Sequence, residues 1–317
     1  MAPKPYLVVN PRSAGGATGR HFDEIAAAVR SALGDCQHGF TRRELHATEL
    51  TRDALRGGAR VVVAIGGDGT INEVVNGFFE ELEPGAQPRA INPEAALAVL
   101  PRGTGGDFRR TLGLNGDLKA SARRLSGEPR RIDLGRIDYV SRGGSPASRL
   151  FVNVAGAGVG ARIVSIANQS SKALGGKLSF MLASLRGLVG WSDVSVRASV
   201  DGAPFEELMV TSFSVANGRF FGGGMEVAPS ARIDDGLFHL TIWSGYGLAD
   251  FVLKGASMYD GSHVKLPGTR IATASKVLLE PGTRSASQEI LVEADGEQLG
   301  RLPASFSILP GAMSLFS

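Results

Sequence analysis

The chain has 317 residues, 43% hydrophobic and 21% charged, with a net charge of +3. That length is long for one core and suits two domains of an ordinary globular protein. No dense Lys/Arg block points to nucleic acid, the lone Cys36 excludes an intrachain disulfide, and no apolar run is long enough to span a bilayer.

The first six residues, Met1 to Tyr6, contain no apolar core of the signal-peptide kind and run straight into a strand pattern. Tyr6–Asn10 reads as the first strand, Pro11–Gly19 as a turn-rich loop, and Phe22–Leu33 as a helix carrying Ile25, Ala26, Val29 and Leu33 at helical spacing. Strand, glycine loop and helix in that order make an anion site at the helix start. The P-loop signature with its lysine is absent. Phe40–Thr48 leads into a second helix through Leu55, with Thr48 as the expected cap.

Val61–Ile65 is a β-branched apolar run of the kind buried on both faces of a sheet. Gly66-Gly67-Asp68-Gly69-Thr70 follows, then Ile71, Val74, Val75 and Phe78 at helical spacing. Thr70 is the expected N-cap, with Glu73 closing a capping box, and the glycines would let a phosphate approach the main chain. Asp68 would repel a bare phosphate, so a metal, a water or a hydroxyl is its natural partner. The plainer reading is a tight turn without a ligand. After an expected loop over residues 80–96, Ala96–Leu100 reads as a strand that delivers Pro101–Leu114. Arg102, Arg109 and Arg110 in that segment could meet phosphate or simply be solvated.

From Ile132–Asp138 onward the pattern alternates, as in antiparallel sheet. Strands are expected at 132–140, 150–155, 194–200, 205–216, 236–243, 276–280 and 289–294. Domains are therefore expected at 1–133 and 134–303, with a tail of about 304–317 that packs back on the first. Gly156–Ala161 fits a dinucleotide fingerprint in letters only, because no βαβ unit is evident around it. Lys172–Trp191 is apolar with basic residues; Leu178, Met181, Leu182 and Leu185 form a helical stripe that is either core or a lip touching lipid. Asp295 and Glu297 pair two carboxylates at a turn, chemistry that suits a general base and a metal partner. The five histidines have no zinc-binding spacing.

These motifs resemble, in order, those of the lipid kinases related to diacylglycerol and sphingosine kinases. Asn10, Pro11, Ser13 and Gly15 match the NPxSG loop, and Thr41 falls at the family's nucleotide-side threonine. Gly66–Thr70 match GGDGT, and Pro101–Phe108 resemble PxGTxNDF with Gly106 in place of Asn. Pro229–Gly236 resemble the PxAxxxDG segment, and Asp295–Glu297 the terminal DGE. The resemblance implies an α/β nucleotide-binding domain of the NAD kinase/phosphofructokinase kind, followed by a C-terminal antiparallel β-sandwich. It implies transfer of the γ-phosphoryl group of ATP to a lipid hydroxyl, with diacylglycerol the default acceptor and sphingoid bases or ceramide open. ATP would contact Asn10, Pro11, Ser13, Gly15, Thr41, Gly66, Gly67, Asp68, Gly69, Thr70, Asn72, Glu73, Gly103, Thr104 and Asp107. Asp295, Glu297 and Asp68 would be the catalytic acids. A structural Mg²⁺ would take Asp235 with the backbone oxygens of Arg232 and Leu237. An acid common in relatives is replaced here by Gly160. The expected setting is cytoplasmic and peripheral to a membrane, with no nucleic-acid partner and a homodimer left open. Two alternatives remain: a soluble-substrate kinase of the NAD kinase type, and a nucleotide-binding regulator without catalysis.

Overall fold

The structure, a computed structural model, describes residues 4–102, 106–114, 117–169 and 176–316. It divides into two compact units: Met1–Leu82, Ala86–Ile132 and Gly311–Ser317 form the first, and Glu83–Gly85 and Asp133–Pro310 the second.

The first unit is α/β. Its strands are β1 (Tyr6–Val9), β2 (Gln37–Phe40), β3 (Val61–Gly66) and β4 (Ala96–Pro101). They lie parallel in the order β2-β1-β3-β4, extended beyond β4 by Ser314–Phe316 at the end of the chain. The helices are α1 (Ala17–Arg20), α2 (Phe22–Leu33), α3 (His46–Arg56), α4 (Asp68–Gly77), α5 (Asp107–Thr111) and α6 (Leu118–Arg124). Val62–Ile65 are fully buried, as their unbroken apolar run requires for a central parallel strand. Leu7, Val9, Val63, Ile65, Ala98 and Leu100 of the sheet pack against Ile25 and Val29 of α2 and Leu125. Edge strand β2 has no apolar alternation and is largely exposed, which is why its sequence does not announce it.

The second unit is an antiparallel sandwich. Its strands are β5 (Arg130–Ser141), β6 (Pro146–Phe151), β7 (Val154–Gly158), β8 (Val194–Val200), β9 (Glu206–Val210), β10 (Ser212–Ala216), β11 (Phe238–Trp243), β12 (Thr269–Ala274), β13 (Lys276–Pro281), β14 (Leu291–Ala294) and β15 (Glu297–Phe316). One layer runs β12-β11-β10-β7-β14; β15 leaves it by pairing with β14 and then joins β13, β8 and β9, and also β5 with β6. The core between the layers includes Phe213, Val215, Leu240, Val292 and Phe306, with Phe151 stacked on Phe238 at 5.7 Å. Helices α7 (Val159–Gln169), α8 (Gly176–Leu188) and α9 (Leu248–Tyr259) belong to this unit.

The structure corrects several expectations. The strand expected over 150–155 breaks after Phe151, because the amides of Val152 and Asn153 turn to the Asp295 carboxylate. The strand expected over 205–216 breaks at Thr211, whose hydroxyl bonds Asp193 and whose carbonyl accepts the Val159 amide. Of the α8 stripe, the Leu178 side chain lies outside the described residues, Met181 is exposed, and Leu182 and Leu185 are only half-buried; Ala183, Ser184 and Leu188 go furthest inward, and a side chain at Gly187 would sit 2.5 Å from Ile163. Small residues make that close helix contact, and they leave no apolar signature. In this unit helices α7 and α9 and strands β12 and β15 are additional to the elements expected; Gly160 interrupts the helical period at the start of α7.

Candidate functional site

A parallel sheet presents ligand-binding loops at its carboxyl edge, at the point where strand order reverses. In the order β2-β1-β3-β4 that point lies between β1 and β3. The loops leaving these strands are Asn10–Gly16 and Gly66–Thr70, the two glycine loops singled out in the sequence. They are joined directly: the Asn10 side-chain amide donates to Thr70 Oγ1 at 3.0 Å. Thr41 continues this edge, its amide bonded to the Val9 carbonyl, and Arg102 does the same with the Gly66 carbonyl.

The first loop is held by the Ser13 hydroxyl, which donates to the Asn10 carbonyl and lies 2.6 Å from the Thr18 hydroxyl. Ala14, Gly15 and Gly16 follow in left-handed conformation, with open space above Gly15. In the second loop Gly66 is obligatory, since a Cβ there would lie 2.5 Å from Thr70 Oγ1. Asp68 opens α4, and its carboxylate accepts the amides of Asp107 (3.1 Å) and Phe108 (3.2 Å), capping α5 from a distance of 39 residues in sequence. Asp107 in turn is bridged by Arg110 at 3.1 Å.

Two capping assignments are corrected here. Thr70 is not an N-cap: α4 begins at Asp68, so Thr70 lies inside it and serves as Asn10's acceptor. Glu73 closes no capping box; its Oε2 accepts the Ala47 amide and its carbonyl accepts the Thr48 hydroxyl, so it caps the neighbouring helix α3, whose N-cap is Leu45 rather than Thr48. Asn72 is buried, with Asn76 donating to its carbonyl. Gly103 and Thr104 lie outside the described residues.

The edge fits an anion on one observation independent of the glycines. Arg102 and Arg109 each hold a buried Nε–H with no acceptor among the described residues. Unpaired buried donors are costly, and phosphate oxygens are the acceptors guanidinium geometry favours. Arg109 also lies over Gly106, where an added Cβ would come within 3.0 Å of its Nε. The guanidinium thus occupies the space toward which a side chain at position 106 would project.

In the second unit the DGE segment forms the β14–β15 hairpin. Asp295 (φ +48°) and Gly296 (φ +81°) are the two left-handed residues that such a turn demands, and Asp-Gly supplies them. The Asp295 carboxylate accepts the amides of Val152 and Asn153 at 2.9 Å and Val154 at 3.2 Å. Glu297 pairs with Arg149 at 3.1 Å. Asp295 is therefore a structural clamp whatever its chemical part. Asp235 accepts the Leu237 amide and lies 3.1 Å from His239 Nε2, while the side chain of Arg232 turns to Asp234. The oxygen donors at this turn are of the hard type that suits Mg²⁺, but among the described residues no group of three or more His, Cys, Asp or Glu is placed to hold a metal.

The same unit contains an apolar, partly open cavity of about 70 Å³, walled by α7, α8 and α9 and by residues such as Ile163, Phe180, Leu188, Met225, Phe251 and Met258. Its floor is the outer face of β10, β7 and β14. Glu293 lies on that floor, 3% exposed, and burial pushes its carboxyl well above the usual range, with the Asp295 charge adding to the effect. Sequence reasoning missed Glu293, because an acid between Val292 and Ala294 in an alternating strand reads as a solvent-facing residue.

An α/β unit with glycine loops at its switch point, continued in one chain by a sandwich with an apolar cavity, defines a two-unit kinase architecture. Residues 4–137 match the diacylglycerol kinase catalytic domain, and residues 153–317 the YegS C-terminal NAD kinase beta sandwich-like domain. The chain is 27% identical to the diacylglycerol kinase of Bacillus subtilis, over 95% of this chain and 91% of that one. It is 30% identical to the "Probable lipid kinase YegS-like" of Pseudomonas aeruginosa, over 98% and 93%. A crystal structure of a diacylglycerol kinase from Bacillus anthracis superposes with a TM-score of 0.70 at 21% identity, covering 99% of this chain and 96% of that one. The chain belongs to the diacylglycerol kinase and YegS-like family and is an enzyme of the lipid kinase class.

Proposed function

We propose that the enzyme transfers the γ-phosphoryl group of ATP to the hydroxyl of an uncharged glycerolipid, diacylglycerol being the first candidate. The observation that carries this reading is the apolar cavity in the second unit. Its walls suit acyl chains and offer a dinucleotide little, which argues against the soluble-substrate alternative. The triphosphate would rest on the glycine loops after β1 and β3, with the Arg102 and Arg109 Nε–H groups as phosphate donors. Mg²⁺ bound with the nucleotide would neutralise phosphate charge. From this chain, Asp235 with the Arg232 and Leu237 carbonyls is the set proposed to hold a structural Mg²⁺. Asp295 and Glu297 are the acids proposed to orient the acceptor hydroxyl, and Asp68 acts by fixing the start of α5. The test is incubation with radiolabelled ATP and a panel of diacylglycerol, ceramide, sphingosine and NAD. Label in diacylglycerol supports the reading; label in NAD alone, or in nothing despite ATP binding, overturns it.

The lipid would be drawn from a membrane surface. No helix among the described residues is long and apolar enough to cross a bilayer, but α9 presents Leu248, Val252 and Leu253 outward, the last two 65% and 82% exposed, while Phe251 of the same helix lines the cavity. Exposed apolar side chains beside an apolar opening suit shallow contact with a bilayer. Leu253→Asp is expected to lower turnover on diacylglycerol in vesicles about tenfold while leaving turnover on a short-chain, water-soluble analogue within twofold. Equal losses on both substrates would show that α9 does not meet the membrane.

A further inference from the structure

The cavity floor follows from strand register. Glu293 of β14 pairs with Gly156 of β7, which pairs with Ser214 of β10, so the three share one sheet face. The next row of the face pairs Gly158 with Ser212 and Ser212 with Trp243. Two strand spacings separate Glu293 from Ser214, about 10 Å, with no side chain at Gly156 between them. A Cβ at Gly156 would sit 2.4 Å from the Phe213 carbonyl oxygen, so the gap is fixed by the backbone. The result is a polar slot in an otherwise apolar chamber.

The groups at the slot are sparsely partnered. The Glu293 carboxyl accepts one hydrogen bond, from the Gly296 amide at 3.3 Å, and meets no cation among the described residues. Ser212 and Ser214 line the cavity, and the Trp243 indole N–H is buried without an acceptor among the described residues. Buried polar groups are normally satisfied, so the unpaired Trp243 N–H, with two serine hydroxyls and a carboxyl lining the same chamber, points to a ligand with hydrogen-bonding oxygens. A carboxylate without a cation in apolar surroundings is costly, and the group avoids that cost by holding its proton. It then has an O–H to donate.

We infer that Glu293 and Ser214 hydrogen-bond the ester carbonyl or free hydroxyl of an acylglycerol in this slot, and that the pair selects neutral glycerolipids over cationic amino-alcohol lipids. This deepens the proposed lipid-kinase reading and rests on it for the identity of the ligand. A neutral oxygen takes the O–H with no charge separation. An ammonium group would have to bring its charge into the chamber and ionise Glu293, a desolvation that an ion pair at best offsets. Glu293 is thus assigned as a specificity-determining residue, and through Gly296 it touches the turn that bears Asp295 and Glu297.

The experiment measures lipid binding without ATP, so it reports on the slot even if no phosphoryl transfer occurs. Quenching of Trp243 fluorescence by a doxyl-labelled monoacylglycerol is followed in full-length Trp191→Phe protein, with sphingosine as competitor. Glu293→Gln keeps a donor and an acceptor and is expected to hold Kd within about threefold. Glu293→Leu and Ser214→Ala remove the hydrogen bonds and are expected to raise Kd about tenfold and fivefold. In the kinase assay the same changes should appear in KM, with kcat within a few-fold. Sphingosine should compete poorly with every form. The inference is overturned if Glu293→Gln weakens binding as much as Glu293→Leu, which would mean that the ionised acid is needed. Strong displacement by sphingosine, or no effect of either Leu or Ala, would also overturn it. Should Glu293→Leu fail to fold, the isosteric Gln variant and Ser214→Ala decide the matter.

Discussion

Asp295→Ala is expected to destabilise the protein by about 2–6 kcal/mol, in addition to lowering turnover by two orders of magnitude or more. The stability loss follows from two buried amides. Val152 and Asn153 donate to the Asp295 carboxylate at 2.9 Å and are 2% and 6% exposed, so truncation strands both donors. Each buried unsatisfied donor costs about 1–3 kcal/mol. The Asp295→Asn variant retains one acceptor oxygen but turns an NH₂ toward an amide, so an intermediate loss is expected. Urea denaturation of the full chain measures the effect, and turnover is then compared at a temperature where both variants remain folded. Arg149 leaves Glu297 better supported, and Glu297→Gln is expected to reduce turnover with little change in the urea midpoint, because its ion pair is partly exposed. A midpoint unchanged in Asp295→Ala would show that these amides find other acceptors and that the hairpin is not clamped as described.

The expected results differ in how far the sequence foretold them. The Asp295-Gly296 hairpin was legible, because a two-residue turn with both φ values positive requires such a pair. The central strand was legible from Val61–Ile65, since a run buried on both faces needs no knowledge of its neighbours. Capping was not. A Glu three residues after a Thr satisfies the local rule equally well when it reaches another helix, as Glu73 does toward Ala47. The same holds for Asp68, whose partners lie 39 and 40 residues away. Glu293 was hidden for a related reason. Alternation assigns it correctly to the face opposite Val292 and Ala294, but whether that face meets water depends on α7, α8 and α9, which local pattern does not reveal. The glycine motifs located the loops at the switch point of the parallel sheet; the polar slot became visible only through register.

Gly66→Ala is expected to weaken ATP binding at least tenfold and to cost about 1–3 kcal/mol of stability. The new methyl would lie 2.5 Å from Thr70 Oγ1, 2.6 Å from its Cβ and 2.8 Å from its Cγ2. None of these atoms is the tip of a flexible chain: Thr70 is buried within α4, so relief requires the start of that helix to move. Such a shift carries away the Asn10–Thr70 hydrogen bond, which ties the two loops at the switch point. Thr70→Ala alone removes the hydrogen bond without the clash and is expected to cost only about 0.5–1.5 kcal/mol, with a smaller loss of nucleotide affinity. Thr70→Gly removes every atom in the clash at a helix cost of about 1 kcal/mol. The Gly66→Ala/Thr70→Gly double variant should therefore be more stable than the sum of its single changes predicts, a coupling of about 1 kcal/mol or more between contacting residues. Isothermal titration with a non-hydrolysable ATP analogue, paired with thermal unfolding, reads both quantities. Strict additivity would mean that Gly66 and Thr70 do not clash as described, and unaltered nucleotide affinity in Gly66→Ala would mean that the loop after β3 does not carry the triphosphate.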